Sequence, residues 1–327
     1  MNTAVNIIVI GLGSIGVRHV SNLLSLGYKN ITLITQRNVF PSHWPDFPVY
    51  SKFEDIPDTI DFTHALICSP TARHLNDLIP VIKAGIPSIF LEKPVSHTWE
   101  GMEDVMSILQ PHQNIFLGFD LRFDPGLNKV NEILKAGGIG RVLSATAFVG
   151  QYLPDWRPHE DHRLGSSALK AKGGGVLLDL VHEFDYLFWL FGPASTLGAF
   201  YQSNPELEIE TEDLADVLIK FDSGLTATLH LDYHQRNLTR YCHITGTHGS
   251  LLWDLATKKV LWTDEKANIQ TFDFIDFERN DRFLRIISAF IQKQEDERLT
   301  GFQEGLETLK MVLAAKKSSE SHTFVRL

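Results

Sequence analysis

The segment Gly11-Leu12-Gly13-Ser14-Ile15-Gly16 carries glycine at its first, third and sixth positions. That spacing permits a tight turn at Gly11, close approach of backbone N–H groups to an anion at Gly13, and close helix–sheet packing at Gly16. Ser14 and Ile15 would open a helix, whose partial positive charge favours a pyrophosphate. The apolar run Asn6–Ile10 before the loop and the helical pattern Ser14–Leu26 after it supply the strand–turn–helix context the motif needs. A dinucleotide is the ligand this predicts. Its ribose would be read at the end of the second strand, Ile31–Thr35, where an acid would accept from a 2′-hydroxyl. The chain has Thr35-Gln36-Arg37 there. A cation beside a polar residue suits a 2′-phosphate, so NADP is favoured, with NAD still open through Gln36.

Two further groups could move protons. Glu92-Lys93-Pro94 follows the strand Ser88–Leu91, at the carboxyl edge of a parallel sheet, where open α/β folds bind ligands. Lys93 could donate there to a substrate oxygen. Gly173-Gly174-Gly175 precedes a mostly apolar helix, Val176–Phe191, on which Asp179, His182, Glu183 and Tyr186 form one polar stripe. A helix this apolar is buried, so the stripe must face a cleft or be paired internally. His182 is a proton shuttle near neutral pH. A core histidine satisfied by Asp179 or Asp185 is the competing reading. Three successive glycines point to a backbone that passes close to something.

The elements that position these groups change in kind along the chain. Strand and helix signals alternate first: strands at Thr63–Cys68 and Ile115–Leu117, helices at His74–Ala84 and Glu100–Leu109. That alternation implies a parallel sheet with helices on both faces. Beyond it, helices at Gly126–Ala136, Asp281–Glu295 and Phe302–Lys317 accompany longer strands at Val142–Phe148, Ser195–Tyr201, Asp213–Phe221, Leu225–Tyr233 and Arg240–Thr245. Asp222-Ser223-Gly224 and Thr247-His248-Gly249 read as hairpin turns. The expected fold class is α/β: an N-terminal Rossmann domain, residues 1–121, and a C-terminal α+β domain with an antiparallel sheet, residues 122–327.

Composition narrows the function classes. The 327 residues carry a formal charge of −10, which argues against general nucleic-acid or anionic-membrane binding. No apolar run approaches the roughly 20 residues of a membrane span. The start lacks a basic leader and runs straight into the glycine loop, so no signal peptide is expected and the location is read as cytoplasmic. The two cysteines, Cys68 and Cys242, read as inert core residues. A metal enzyme built on His159, Glu160, Asp161 and His162 is set aside, because the segment is loop-like and poorly spaced for ligands.

These pieces together resemble the Gfo/Idh/MocA oxidoreductases over essentially the whole chain. The matching residues are Gly11–Gly16, Cys68-Ser69-Pro70-Thr71, Glu92-Lys93-Pro94, Gly118-Phe119-Asp120-Leu121-Arg122-Phe123, the triple glycine and His182-Glu183-Phe184-Asp185. Residues 152–158, Tyr-Leu-Pro-Asp-Trp-Arg-Pro, look similar to members found with bacterial surface-sugar pathways. The resemblance implies Lys93 and His182 as the catalytic pair, and Ser69, Pro70, Thr71, His74, Glu92 and Asp120 near the cofactor. It also implies that the C-terminal sheet is open and mainly antiparallel, and that a homodimer or homotetramer forms through it. Asp179 stands three residues before His182 where many members have four, and Asp120 stands where asparagine is common. The expected reaction is hydride transfer between nicotinamide and a secondary alcohol or ketone of a sugar, nucleotide sugar or inositol. Arg122, Arg157, Asp179 and Asp185 are the candidate substrate contacts. An NAD-dependent glycosidase with transient oxidation, and a non-catalytic cofactor-sensing regulator, are the alternatives.

Overall fold

Ile7–Ile10 (β1) is buried at all of its positions, as are Ile31–Ile34 (β2), His64–Ile67 (β4) and Ser88–Leu91 (β5). Strands buried on both faces read as continuous apolar runs rather than alternations, the mark of a parallel sheet covered on both sides. The structure, a computed structural model, describes residues 5–57, 59–292 and 295–327. With Val49–Tyr50 (β3) and Asn114–Leu117 (β6), these strands form a parallel sheet in the order β6-β5-β4-β1-β2-β3, and Thr300–Gly301 pairs antiparallel at the β6 edge. Helices Ser14–Ser25 (α1), His74–Lys83 (α2) and Met102–Ile108 (α3) connect the strands. Chain order reverses between β1 and β4, so the loops leaving these two strands flank the crevice where such sheets take ligands.

The chain divides into two compact units. The first runs to Phe119 and includes Asn280–Gly305; the second is Asp120–Arg279 with Leu306–Leu327. A single cut after residue 121 therefore does not describe the chain. The reason is aromatic packing: helix Arg279–Gln292 carries Phe290, which is fully buried with its ring 5.4 Å from Phe90, 6.1 Å from Phe116 and 5.3 Å from His64. Periodicity announces that helix but not the sheet it covers. Residues 293 and 294 of the expected span Asp281–Glu295 lie outside the described residues.

The second unit contains Pro125–Lys135 (α4), Val142–Gly150 (β7), Val176–Asp179 (α5), His182–Phe191 (α6), Ala194–Gln202 (β8), Leu214–Phe221 (β9), Thr226–Asp232 (β10), Thr239–Gly246 (β11), Gly249–Asp254 (β12), Lys259–Thr263 (β13) and Ile269–Asp273 (β14). The sheet order is β14-β13-β12-β11-β7-β10-β9-β8, with Val325–Arg326 beside β8; only β7 and β10 pair in parallel. Along β9, Ala215, Val217, Ile219 and Phe221 are buried while Asp216, Leu218 and Lys220 are exposed, so one face is covered and the other open. The sequence did not announce β12–β14. In β14 every residue but Phe272 is exposed, and an edge strand with little to bury carries little apolar alternation.

The continuous helix expected over Val176–Phe191 is instead two. Leu180, at φ −94° and ψ 32°, leaves helical geometry and separates α5 from α6. The stripe of Asp179, His182, Glu183 and Tyr186 is therefore cut between its first two members.

Candidate functional site

The glycine loop is built to receive an anion. Gly11 has φ +89°, and a Cβ there would lie 2.6 Å from the Ser69 backbone nitrogen, so the loops leaving β1 and β4 touch. A Cβ on Gly16 would collide with the Gly11 carbonyl. At Gly13 a Cβ would meet nothing within 4 Å, and Gly13 and Ser14 are exposed. The glycine that nothing in the protein requires is thus the one facing outward, where a pyrophosphate needs close approach. The first turn of α1 holds no acid, and its leading N–H groups precede the first intrahelical bond, from Val17 N–H to the Gly13 carbonyl. Beyond β2, Gln36 donates to the Ser51 carbonyl at 3.0 Å, and the Arg37 side chain is exposed.

At the other strand ends, Ser69 and Thr71 are half-buried and Pro70 is exposed. His74 is 1% exposed, with Nδ1 2.7 Å from the Pro94 carbonyl and Nε2 3.0 Å from the Ser69 carbonyl. Burial holds its pKa below the usual imidazole value, against the pull of those carbonyls. A neutral imidazole has one N–H to donate, and the shorter contact gives it to the Pro94 carbonyl, so this ring braces backbone. Glu92 is likewise withdrawn: it is 7% exposed, with Oε1 2.7 Å from His19 Nε2 and Oε2 accepting from the Lys93 N–H at 3.3 Å. Lys93 is half-buried and joined to Pro94 by a cis peptide. Burial, and then the Glu92 charge, push the Cys68 thiol well above its ordinary value, so it stays an inert thiol.

In the second unit, His182 is 8% exposed and its Nε2 lies 3.5 Å from Asp120 Oδ1. Asp179 is half-buried and accepts the Tyr233 hydroxyl proton at 2.8 Å; burial, and then that carboxylate, raise the Tyr233 pKa well above normal. Trp156 packs edge-on to the Tyr233 ring at 5.3 Å. The triple glycine serves the protein rather than a ligand: a Cβ on Gly174 would strike the Ser166 and Ser167 carbonyls, and one on Gly175, at φ +116°, the Glu212 carboxylate.

Two substrate expectations need correction. Arg122 and Asp185 are both fully buried and bound to each other, Nε to Oδ2 at 3.0 Å and a terminal guanidinium nitrogen to Oδ1 at 2.8 Å. A bidentate pair without exposed surface holds the fold and does not meet a substrate. Glu183 is committed in the same way to Arg240, at 2.8 and 2.9 Å. Arg157 is exposed, 3.9 Å from Glu160. His162 reaches the Leu207 carbonyl and Asp161 binds Arg163, so that segment does not converge on a point. Among the described residues no group of three or more His, Cys, Asp and Glu side chains could hold a metal ion, and no helix is long and apolar enough to cross a membrane.

A glycine loop after β1 in one unit, and an imidazole beside a carboxylate in the other, could serve an oxidoreductase. The model of an oxidoreductase family with an NAD-binding Rossmann fold matches residues 5–119, and that of the GFO/IDH/MocA C-terminal domain matches residues 127–252. The chain belongs to the Gfo/Idh/MocA oxidoreductases. It is 25% identical over 323 residues to the oxidoreductase YrbE of Bacillus subtilis, covering 92% of this chain and 86% of that one. It is 26% identical over 344 residues to the myo-inositol 2-dehydrogenase of Thermotoga maritima, covering 98% and 97%. A solved levoglucosan dehydrogenase, in complex with NADH and levoglucosan, shares the fold with a TM-score of 0.83 at 18% identity over 98% and 99% of the two chains.

Proposed function

We propose that this enzyme moves a hydride between nicotinamide and a secondary alcohol or ketone of a sugar, nucleotide sugar or inositol-like polyol. The observation that carries the reading is His182, nearly buried and 3.5 Å from Asp120, at the start of α6. A carboxylate at that distance can orient an imidazole, the side chain suited to moving a proton near neutral pH. Kinship with a myo-inositol 2-dehydrogenase supports a polyol substrate.

Gly11, Gly13, Ser14, Ile15 and Gly16 would hold the pyrophosphate, and Ser69, Pro70 and Thr71 would border it. When bound, the nicotinamide supplies the hydride acceptor in oxidation and the donor in reduction. His182 takes the substrate hydroxyl proton during oxidation and returns it in reduction. Lys93 polarises the same oxygen, and Asp179, fixed by Tyr233, accepts from a neighbouring hydroxyl. Arg37 gives NADP the preference over NAD: Arg37→Ala is expected to weaken NADP about tenfold, the scale of one charge-assisted hydrogen bond, and to leave NAD unchanged. Equal effects on the two would remove that role. The open sheet face, with Phe200 64% and Phe324 66% exposed, is proposed to join copies of the chain into a homodimer or homotetramer, and the cytoplasm is the proposed location.

The test is a panel of inositols, sugars and nucleotide sugars read by nicotinamide absorbance. Lys93→Met and His182→Ala should each lower turnover by at least about a hundredfold while dinucleotide binding survives. Turnover at the wild-type rate in both variants, or sugar release without an absorbance change, would overturn the reading.

A further inference from the structure

Among the buried polar pairs that the mechanism leaves unused, His19 with Glu92 lies next to Lys93. His19 lies on the buried side of α1, fully buried, together with Gly16, Val20, Asn22 and Leu23. Its ring is caged edge-on by Phe90 at 5.3 Å and Phe283 at 6.1 Å, and Arg18 covers the Phe283 ring at 4.5 Å. Nε2 is 2.7 Å from Glu92 Oε1, and Nδ1 has no hydrogen-bond partner among the described residues. Nε2 is the ring nitrogen placed to donate to that carboxylate.

Glu92 in turn is held tightly. Gly118 presses against it so closely that an added Cβ would lie 2.9 Å from the carboxylate, and the other oxygen takes the Lys93 main-chain N–H. The next residue, Pro94, gives its carbonyl to His74. The backbone on both sides of the Lys93 side chain is therefore pinned, and the pin on its N-terminal side ends on the imidazole of His19.

We propose that His19 is a positioning residue for Lys93: through Glu92 it makes α1, the helix that opens on the cofactor, fix the strand end from which Lys93 reaches the substrate. A misplaced reacting group of this kind costs rate rather than binding. The proposal rests on Lys93 acting in catalysis, and the experiment separates the two claims.

His19→Phe keeps the aromatic packing and removes the donor. His19→Gln places an amide N–H near the Nε2 position, and His19→Asn places it near Nδ1. In His19→Phe, kcat is expected to fall about a hundredfold while the dinucleotide dissociation constant, read by fluorescence, moves less than about threefold. His19→Gln is expected to restore most of the lost kcat and His19→Asn little of it. An unchanged kcat in His19→Phe overturns the proposal. So does a parallel loss of kcat and dinucleotide affinity, which would mark simple damage to α1. Should His19→Phe not fold, the Gln and Asn variants decide, and equal kcat in them overturns it. Lys93→Met is measured alongside: if it turns over normally, the catalytic reading of Lys93 fails, whereas loss in Lys93→Met without loss in His19→Phe sinks the positioning role alone.

Discussion

The sites proposed in the two units are made from different material. The first uses main chain: a left-handed glycine, a glycine whose missing Cβ leaves open space, and the start of a helix. The second uses side chains paired with one another, His182 with Asp120 and Asp179 with Tyr233, along with pairs that hold the fold, Arg122 with Asp185 and Glu183 with Arg240. A site made of backbone is sensitive to added atoms, and a site made of pairs is sensitive to lost ones.

Three substitutions can break that contrast. Arg122→Ala strands the Asp185 carboxylate in the interior and should cost about 3–5 kcal/mol of stability, measured by denaturant unfolding. A loss under about 1 kcal/mol would return Arg122 to the list of substrate contacts, since exposed ion pairs contribute no more than that. Gly13→Ala has the opposite signature. Its φ of −68° suits alanine and its Cβ meets no protein atom, so the melting temperature should hold. The dinucleotide dissociation constant should nevertheless rise about tenfold or more, because the added methyl occupies the phosphate's approach. Loss of stability with unchanged affinity would place the cradle elsewhere.

The smallest effect belongs to His230, on the open sheet face. Its Nε2 lies 3.1 Å from Asp232 and its Nδ1 2.7 Å from Asp216. The bond to Asp232, partly opposed by burial, leads the rise of its pKa above 6.5. A histidine whose pKa is raised by folding stabilises the native state fully below about 6.5, its unfolded value, and loses that contribution as pH climbs through the raised value. The melting-temperature gap between wild type and His230→Gln should therefore be wider at about pH 6 than at about pH 9. A gap that widens with pH would contradict the ion-pair geometry.

The same contrast explains what was legible in the sequence. Gly11–Gly16, β1, β4 and β5 could be read because a glycine spacing and an unbroken apolar run are local properties. The antiparallel pairing of the second sheet could be read from the longer strands and their turns. Pairing could not be read. Arg122 and Asp185 look like free charges in the sequence, and only the fold brings their side chains within 3.0 Å of each other. The split at Leu180 was hidden because Leu178, Leu180 and Val181 continue a helical pattern through it. His19 left one signal: a titratable residue at helical spacing from Gly16 and Leu23, on the side that α1 buries.

The return of Asn280–Gly305 to the first unit also has a consequence for synthesis. Phe90 and Phe116 are made early, but Phe290, which seals them, leaves the ribosome only after the whole intervening unit has been translated. The nascent dinucleotide unit must wait, incomplete, with an aromatic surface turned to water, the condition in which chains aggregate or are taken up by chaperones. A fragment ending at Phe119 would hold every residue of the glycine loop and still lack the helix that closes its core.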